Sequence, residues 1–168
     1  GNVQVRIDDT SLSFATPALK NNASLDDDEV AELCEAFAVD KQSLIDASWG
    51  DNGPGWRLAL LDSVETLRGL ERPAESGLKV AFAALTGDVN PAYELRAFTP
   101  TFEDPVTGSA NGAMAQWLRS RGDVPESYTV SQGTALGRKG RVEIADDGND
   151  IWVGGAVGVR VRGQIVVD

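Results

Sequence analysis

The sequence predicts a mixed α+β domain, with a strand-rich C-terminal half and at least two helices that cover a curved sheet. Three observations lead to this prediction. Short β-branched segments with alternating or continuous apolar residues recur along the chain. Two segments carry apolar residues at helical spacing, and glycine- and proline-rich turns separate the elements. The 168 residues suffice for one ordinary domain with its own core.

The first predicted elements are a hairpin and a helix. Apolar residues alternate with polar ones over residues 3–7 and again at residues 12–14, which predicts two paired strands closed by Pro17. Ser24 is the predicted helix N-cap, with Asp27 three residues later in a position close to that of a capping box. The apolar face of this helix consists of Val30, Leu33, Cys34 and Phe37.

Further elements follow from the same patterns. Helices are predicted over residues 42–47, 63–70 and 109–118, the last ending before a glycine cap at Gly122. Strands are predicted over residues 56–61, 78–85, 94–98, 128–131, 140–144, 151–153 and 157–167.

Composition excludes several classes of function. The net charge of −11 argues against nucleic acid and anionic membrane as partners, although a pocket can still be locally positive. Histidine is absent, which excludes Ser-His-Asp and Cys-His catalysis and the common zinc sites. No apolar run is long enough to span a membrane and no signal peptide is visible. With Cys34 as the single cysteine, we expect a cytoplasmic protein.

The first residue is not a natural translation start. The chain begins at Gly1, and its only methionine is Met114. We therefore expect the chain to be part of a longer protein.

The segment from Arg96 to Gly112 is the richest in potential chemistry. A predicted strand ends, a loop with two carboxylates follows, and the helix opens at Gly108 and Ser109. The first amides of a helix have no internal partner and lie at the positive end of its dipole, so this start predicts an anion site. Asp104 would place a carboxylate beside it. Alternatively, Asp104 or Ser109 merely caps the helix.

Four segments carry a resemblance to a known family. Residues 103–110 have the sequence EDPVTGSA, residues 96–100 have RAFTP, residues 132–142 have QGTALGRKGRV, and residues 153–156 have VGGA. In this order they resemble the signature segments of the PhzF-like (phenazine biosynthesis PhzC/PhzF) family.

The resemblance implies a fold and a reaction. Family members have two similar lobes, each a curved mixed sheet wrapped around a central helix, as in diaminopimelate epimerase. The best-known member isomerises dihydro-3-hydroxyanthranilate by proton transfer, without metal or cofactor. By motif, Asp104 and Ser109 are the catalytic pair, and Gly108, Ser109 and Ala110 bind the substrate. The implied partners are a small carboxylic-acid substrate and a second copy of the chain in a homodimer.

The resemblance covers the second lobe. Residues 1–18 are predicted to be a hairpin left from the first lobe, and residues 19–168 the C-terminal lobe. The family's proton shuttle is a glutamate of the first lobe, which has no counterpart here. We therefore expect the intact protein to be an isomerase or epimerase and this chain alone to be inactive. The alternative is a non-catalytic small-anion-binding or assembly module of the same fold.

Other reactive residues are given structural interpretations. Cysteine racemases of the same fold superfamily carry a Cys where this chain has Ser109, which argues against that reaction. Cys34 lies on an apolar helix face and is interpreted as a core residue. Glu103 is ranked second to Asp104, as a surface or loop-bonding carboxylate. Arg96, Arg138 and Arg141 could offset charge near an anion, although for Arg138 bonding of turn carbonyls is favoured. The tryptophans Trp49, Trp56, Trp117 and Trp152 are expected in the core or an interface.

Overall fold

The computed structural model of the chain describes residues 2–74, 76–164 and 166. Its strands are β1 (Val5–Ile7), β2 (Ser11–Ala15), β3 (Leu44–Gly50), β4 (Trp56–Leu61), β5 (Val80–Leu85), β6 (Tyr93–Phe98), β7 (Glu103–Asp104), β8 (Ser127–Gln132), β9 (Gly140–Asp146) and β10 (Ile151–Ala156). Its helices are α1 (Asp27–Phe37), α2 (Val64–Gly69) and α3 (Gly108–Arg121), with 3₁₀ turns at Lys41–Ser43 and Thr134–Leu136.

The described strands form one mixed sheet. Their order is β1-β2-β10-β9-β8-β6-β5-β4-β3, and β7 pairs with β6 beside this path. The pairs β4–β5 and β6–β8 are parallel, while the others are antiparallel. The predicted hairpin is therefore continuous with the rest of the sheet through β2 and β10. The proposed domain boundary at residue 18 stays a prediction.

The sheet curves around α3. This helix contacts β10 as well as β3, β4 and β5. In the strand order β10 and β3 are six positions apart, which in a flat sheet would separate them by about 29 Å at about 4.8 Å per strand. A helix is only about 10–12 Å across, so both ends of the sheet must bend toward it. The predicted curved sheet with a central helix is confirmed.

A second layer covers the outer face of the sheet. Leu33 and Phe37 of α1 and Leu67 of α2 pack against side chains of β4, β5 and β6, while the opposite face of the same strands packs against α3. Strands buried on both faces have no polar side to show, which explains why β5 is apolar almost throughout.

The start of α1 corrects one prediction. The N-cap is Asp26, whose carboxylate accepts from the Glu29 amide at 2.8 Å while the Glu29 side chain accepts from the Asp26 amide at 3.0 Å. The predicted cap at Ser24 is wrong, because Ser24 instead forms an isolated bridge with Ser48 of β3. The apolar face was predicted correctly.

Two further predictions were wrong within the described residues. The expected helix at 42–47 is a 3₁₀ turn leading into β3, because residues from Leu44 onward pair antiparallel with β4, with a bulge at Ile45. The expected strand at 157–167 is not formed by residues 157–164 and 166. After the bond from the Val157 amide to the Thr10 carbonyl, the exposed residues have no strand beside them. Ile165 and Val167 lie outside the described residues.

Candidate active site

The carboxylate loop leads directly into the central helix. The chain leaves β6, turns back to pair with it as β7, and enters α3 at Gly108. Thr107 precedes the helix, and its side chain makes no capping hydrogen bond. The Asp104 Oδ1 atom accepts from the Val106 amide at 3.2 Å, two residues before the helix. Asp104 thus shapes the loop and does not cap α3.

The first amides of α3 are available to a ligand. In the described part of the chain, no residue accepts a hydrogen bond from the amides of Gly108, Ser109 or Ala110. Gly108 and Ser109 are half-buried, and Ala110 is buried. Because these amides point away from a helix of 14 residues at its positive end, they favour an anion.

One buried glutamine organises this loop. Gln132, at the end of β8, is fully buried and uses both ends of its amide. Its Oε1 atom accepts from the Thr107 amide at 3.0 Å and from Asn111 Nδ2 at 2.7 Å. Its Nε2 atom donates to the Asp104 carbonyl at 2.8 Å and to Thr107 Oγ1 at 3.1 Å. Asp104 and the helix start are therefore fixed by the same side chain.

Two glycines let the QGTALGRKGRV segment pack against the loop. A Cβ atom on Gly133 would lie 2.7 Å from the Pro105 carbonyl oxygen, and the φ of Gly133 is +87°. A Cβ atom on Gly140 would lie 2.6 Å from both the Gln132 carbonyl oxygen and Val106 Cγ2. Only glycine allows so close an approach, so the two sequence segments form one packed unit.

Ser109 is held by two residues from the β3–β4 region of the chain. Its Oγ atom accepts from the indole Nε1 of Trp56, at the start of β4, at 3.0 Å. Its carbonyl accepts from Asn52 Nδ2 at 2.8 Å. Among the described residues, the Ser109 side chain hydrogen-bonds to Trp56 and the Asp104 side chain to the Val106 amide, so neither side chain caps α3. Sequence reasoning assigned no role to Asn52, Gln132 or the indole of Trp56, because their partners lie 21 or more residues away.

A cavity of about 370 Å³ adjoins the start of α3. Gly108 and Val106 form one wall, and Leu12, Phe14 and the Gly154–Gly155 pair of β10 contribute to the others. Arg141 also lines it, donating to Ser131 Oγ at 2.8 Å. A larger cavity of about 700 Å³ lies at the C-terminal ends of α1 and α2, away from every predicted site residue.

Two of the predicted charged candidates form a structural pair. Arg96 makes a two-pronged ion pair with Glu103 at 2.9 and 2.8 Å, and both side chains are buried. The remaining guanidinium nitrogen donates to the Leu67, Arg68 and Leu70 carbonyls at the end of α2. Glu103 is thus a buried partner of Arg96 and not a surface carboxylate.

The remaining candidates are also resolved by the structure. Arg138 is exposed, and no described residue accepts a bond from its guanidinium, so the predicted bonding of turn carbonyls is wrong. Cys34 is half-buried, and desolvation raises the pKa of its thiol, which suits a packing role. Trp56, Trp117 and Trp152 are buried, as expected for core residues.

Among the described residues, no group of three or more His, Cys, Asp or Glu side chains is placed to hold a metal ion. Among the described helices, none is long and apolar enough to cross a membrane.

Comparison with known proteins places this chain in a family. The family described as phenazine biosynthesis-like protein (PhzC-PhzF) matches residues 2–167. The chain belongs to the PhzC-PhzF family. Its match extends over the hairpin as well as the four signature segments, so the resemblance noted from the sequence is confirmed.

Curated relatives of this PhzC-PhzF chain match shorter stretches. An uncharacterized isomerase of Bacillus subtilis, YfhB, is 36% identical over 70 residues, which are 41% of this chain and 22% of the relative. An uncharacterized isomerase of Escherichia coli K12, YddE, is 44% identical over 57 residues, covering 29% of this chain and 19% of the relative.

Solved structures of other proteins share the fold. A predicted epimerase from Pseudomonas aeruginosa superposes with a TM-score of 0.74 at 20% identity, covering 99% of this chain and 63% of that chain. A PhzF-family protein from Bacillus anthracis gives a TM-score of 0.70 at 19% identity, covering 93% of this chain and 62% of that chain. The chain thus spans about three fifths of these solved relatives.

Proposed function

We propose that this chain is the second lobe of a PhzF-like isomerase or epimerase, which moves a proton on a small carboxylic acid without metal or cofactor. The observation that carries the proposal is the start of α3, where no described residue accepts a hydrogen bond from the amides of Gly108, Ser109 and Ala110, and where Gly108 and Arg141 line one cavity. Asp104 lies four residues before this start. Names of relatives as isomerases and a predicted epimerase support the reaction class.

Each residue has a defined task in this proposal. The three amides and the positive end of α3 hold the substrate carboxylate. The Asp104 carboxylate accepts a proton from the substrate or returns one. Its Oδ1 atom accepts a single hydrogen bond, from the Val106 backbone amide, and the residue is half-buried. Ser109 contributes a hydroxyl to the bound anion. The second acid/base group is a glutamate in family members. It would come from the first lobe, which this chain does not contain.

The anion site can be tested on this chain by NMR. Titration with acetate should shift the amide signals of Gly108, Ser109 and Ala110 with saturation in the millimolar range. The Asp104→Asn variant should keep these shifts, because the amides themselves supply the binding. Absence of any shift at these three amides would refute the anion site.

The reaction can be tested by assaying this chain, the intact protein and its variants side by side with dihydro-3-hydroxyanthranilate and related acids. This chain alone should show no turnover, because proton transfer needs its second group within hydrogen-bond reach. In the intact protein Asp104→Asn should lower kcat by about 10²–10⁴-fold, with Ser109→Ala less severe. The exposed Asp9→Asn serves as the control. Turnover by the chain alone would contradict the missing-base proposal.

The alternative function is a non-catalytic module that binds small anions or assists assembly. It predicts acetate binding without turnover by the intact protein on any acid tested. We also propose that the protein forms a homodimer and works in the cytoplasm, where its free Cys34 would remain reduced.

A further inference from the structure

Among the described residues, the buried side chain of Trp56 makes a hydrogen bond to the side chain of Ser109, one of the proposed catalytic pair. The Trp56 indole N–H donates to its hydroxyl oxygen across 3.0 Å. Trp56 begins β4 and is only 3% exposed, packed in the core that also contains α3. The donor is therefore held by a strand and by the core around it.

The chemistry of this contact fixes what the hydroxyl can do. An indole N–H can only donate, whereas a serine hydroxyl carries one proton and two acceptor lone pairs. The bond to Trp56 therefore occupies a lone pair of Ser109 and leaves its proton to another partner. Among the described residues, none accepts a hydrogen bond from that proton. The carbonyls one turn earlier, to which helical serines often donate, do not accept it either.

The serine backbone is fixed as well. Asn52 Nδ2 donates to the Ser109 carbonyl at 2.8 Å, and Asn52 is itself buried. The Oδ1 atom of Asn52 is buried without a hydrogen-bond partner in the described structure. Side chain and main chain of Ser109 are thus held by two separate residues of the β3–β4 region.

We infer that Trp56 is a positioning residue for Ser109, which turns the serine hydroxyl into a committed hydrogen-bond donor toward the bound anion. This inference rests on the proposed anion site at the start of α3. It assigns Ser109 the role of recognising an acceptor oxygen, such as a carboxylate oxygen, and not that of a base or nucleophile.

The test uses this chain, with acetate as the probe and NMR as the readout. Ser109→Ala should weaken acetate binding about tenfold or more, since a bond to a charged acceptor is lost. Trp56→Phe keeps an aromatic ring but removes the N–H, and should weaken binding about threefold to tenfold. In the Ser109→Ala background, Trp56→Phe should have no further effect, because it acts through the serine.

A matched control removes an indole bond elsewhere. Trp49 Nε1 donates to Glu29 Oε1 at 3.1 Å, so Trp49→Phe loses the same kind of bond away from α3 and should bind acetate like the unchanged chain. A second readout needs no tryptophan substitution. In Ser109→Ala the indole proton signal of Trp56 should move upfield, because its acceptor is gone.

The outcomes separate the inference from the function on which it rests. An unchanged Trp56 indole signal in Ser109→Ala overturns the positioning role. The same conclusion follows if Trp56→Phe binds acetate normally while Ser109→Ala binds weakly, and the anion site then survives. Normal binding by Ser109→Ala overturns the donor role itself. Lack of acetate binding by the unchanged chain overturns both proposals. If Trp56→Phe does not fold, the indole signal decides.

Discussion

At the scale of single residues, the loop before α3 depends on the two ends of one buried amide. Gln132 Oε1 and Nε2 make four hydrogen bonds to Asp104, Thr107 and Asn111. A buried polar group that loses its hydrogen-bond partner is destabilising, because its desolvation free energy is no longer offset by a hydrogen bond. The EDPVTGSA and QG segments thus occur together for a physical reason, because Gln132 of one segment satisfies the hydrogen bonds of polar groups in the other.

Replacing Gln132 should therefore be costly. Gln132→Leu has a similar volume but leaves the Thr107 amide and Asn111 Nδ2 without this acceptor. We expect a loss of about 2–4 kcal/mol in the free energy of unfolding, measured by urea denaturation. The exposed Gln42 provides the control, because Gln42→Leu should change stability by less than about 0.5 kcal/mol. Equal stability of the two variants would contradict the network's importance.

At the scale of elements, α3 is built for close contact. Eight of its residues are buried, including Ala110, Ala113 and Ala115. A Cβ atom added at Gly112 would lie 2.5 Å from Thr16 Cγ2, just after β2. The small residues of α3 allow both ends of the curved sheet to approach the helix closely.

Gly112→Ala should accordingly destabilise the protein, although alanine is the better helix former by about 1 kcal/mol. We expect a net loss of about 1–3 kcal/mol from overpacking. Adding Thr16→Ser, which removes the obstructing methyl group and keeps the hydroxyl bonded to the Ile151 carbonyl, should restore stability. Gly69→Ala is the control, because that helical position has open space around it. Thermal unfolding of the three variants and the unchanged chain measures these effects.

The start of α1 gives a second element-scale prediction. Asp26 and Glu29 form the reciprocal capping box, whereas Ser24 caps nothing. Asp26→Ala should lower the free energy of unfolding by about 0.5–2 kcal/mol, and Ser24→Ala should have a smaller effect. A larger loss in Ser24→Ala would show that the cap has been misplaced. Chemical denaturation of both variants provides the comparison.

At the scale of the whole molecule, the sheet ends in an edge strand with exposed apolar side chains. β1 pairs only with β2 among the described strands, and Val5 and Ile7 are exposed. Arg6 holds this edge in place, with its guanidinium 3.5 Å from the Trp152 ring centroid and 2.7 Å from Asp147 Oδ2. Unpaired strand edges recruit other chains, which supports the proposed homodimer.

The dimer is tested by light scattering across a range of concentrations. We expect a homodimer for the unchanged chain and a monomer for Ile7→Lys, because a charge on the edge blocks strand pairing. Val89→Lys, at an exposed apolar position outside the strands, should remain dimeric. A monomer at high concentration in the unchanged chain would rule out the proposed assembly through this edge.

The sequence by itself determined the elements whose causes are local. The bounds of β4 and the position of α2 followed from short patterns, as did the glycine cap at Gly122. The EDPVTGSA segment indicated where α3 would begin, at Gly108 and Ser109. These features depend on residues within a few positions of one another, which a single sequence displays directly.

Tertiary structure alone decided the rest. Residues 44–47 became the start of β3 because β4 offered a partner ladder, and residues 157–164 formed no strand because none lies beside them in the described chain. Gln132 and Trp56 reach the site only through folding, from 25 and 53 residues away from their respective partners, Thr107 and Ser109. Their side chains carry no local pattern that predicts such contacts, since the pairing of distant residues depends on how the sheet closes around α3.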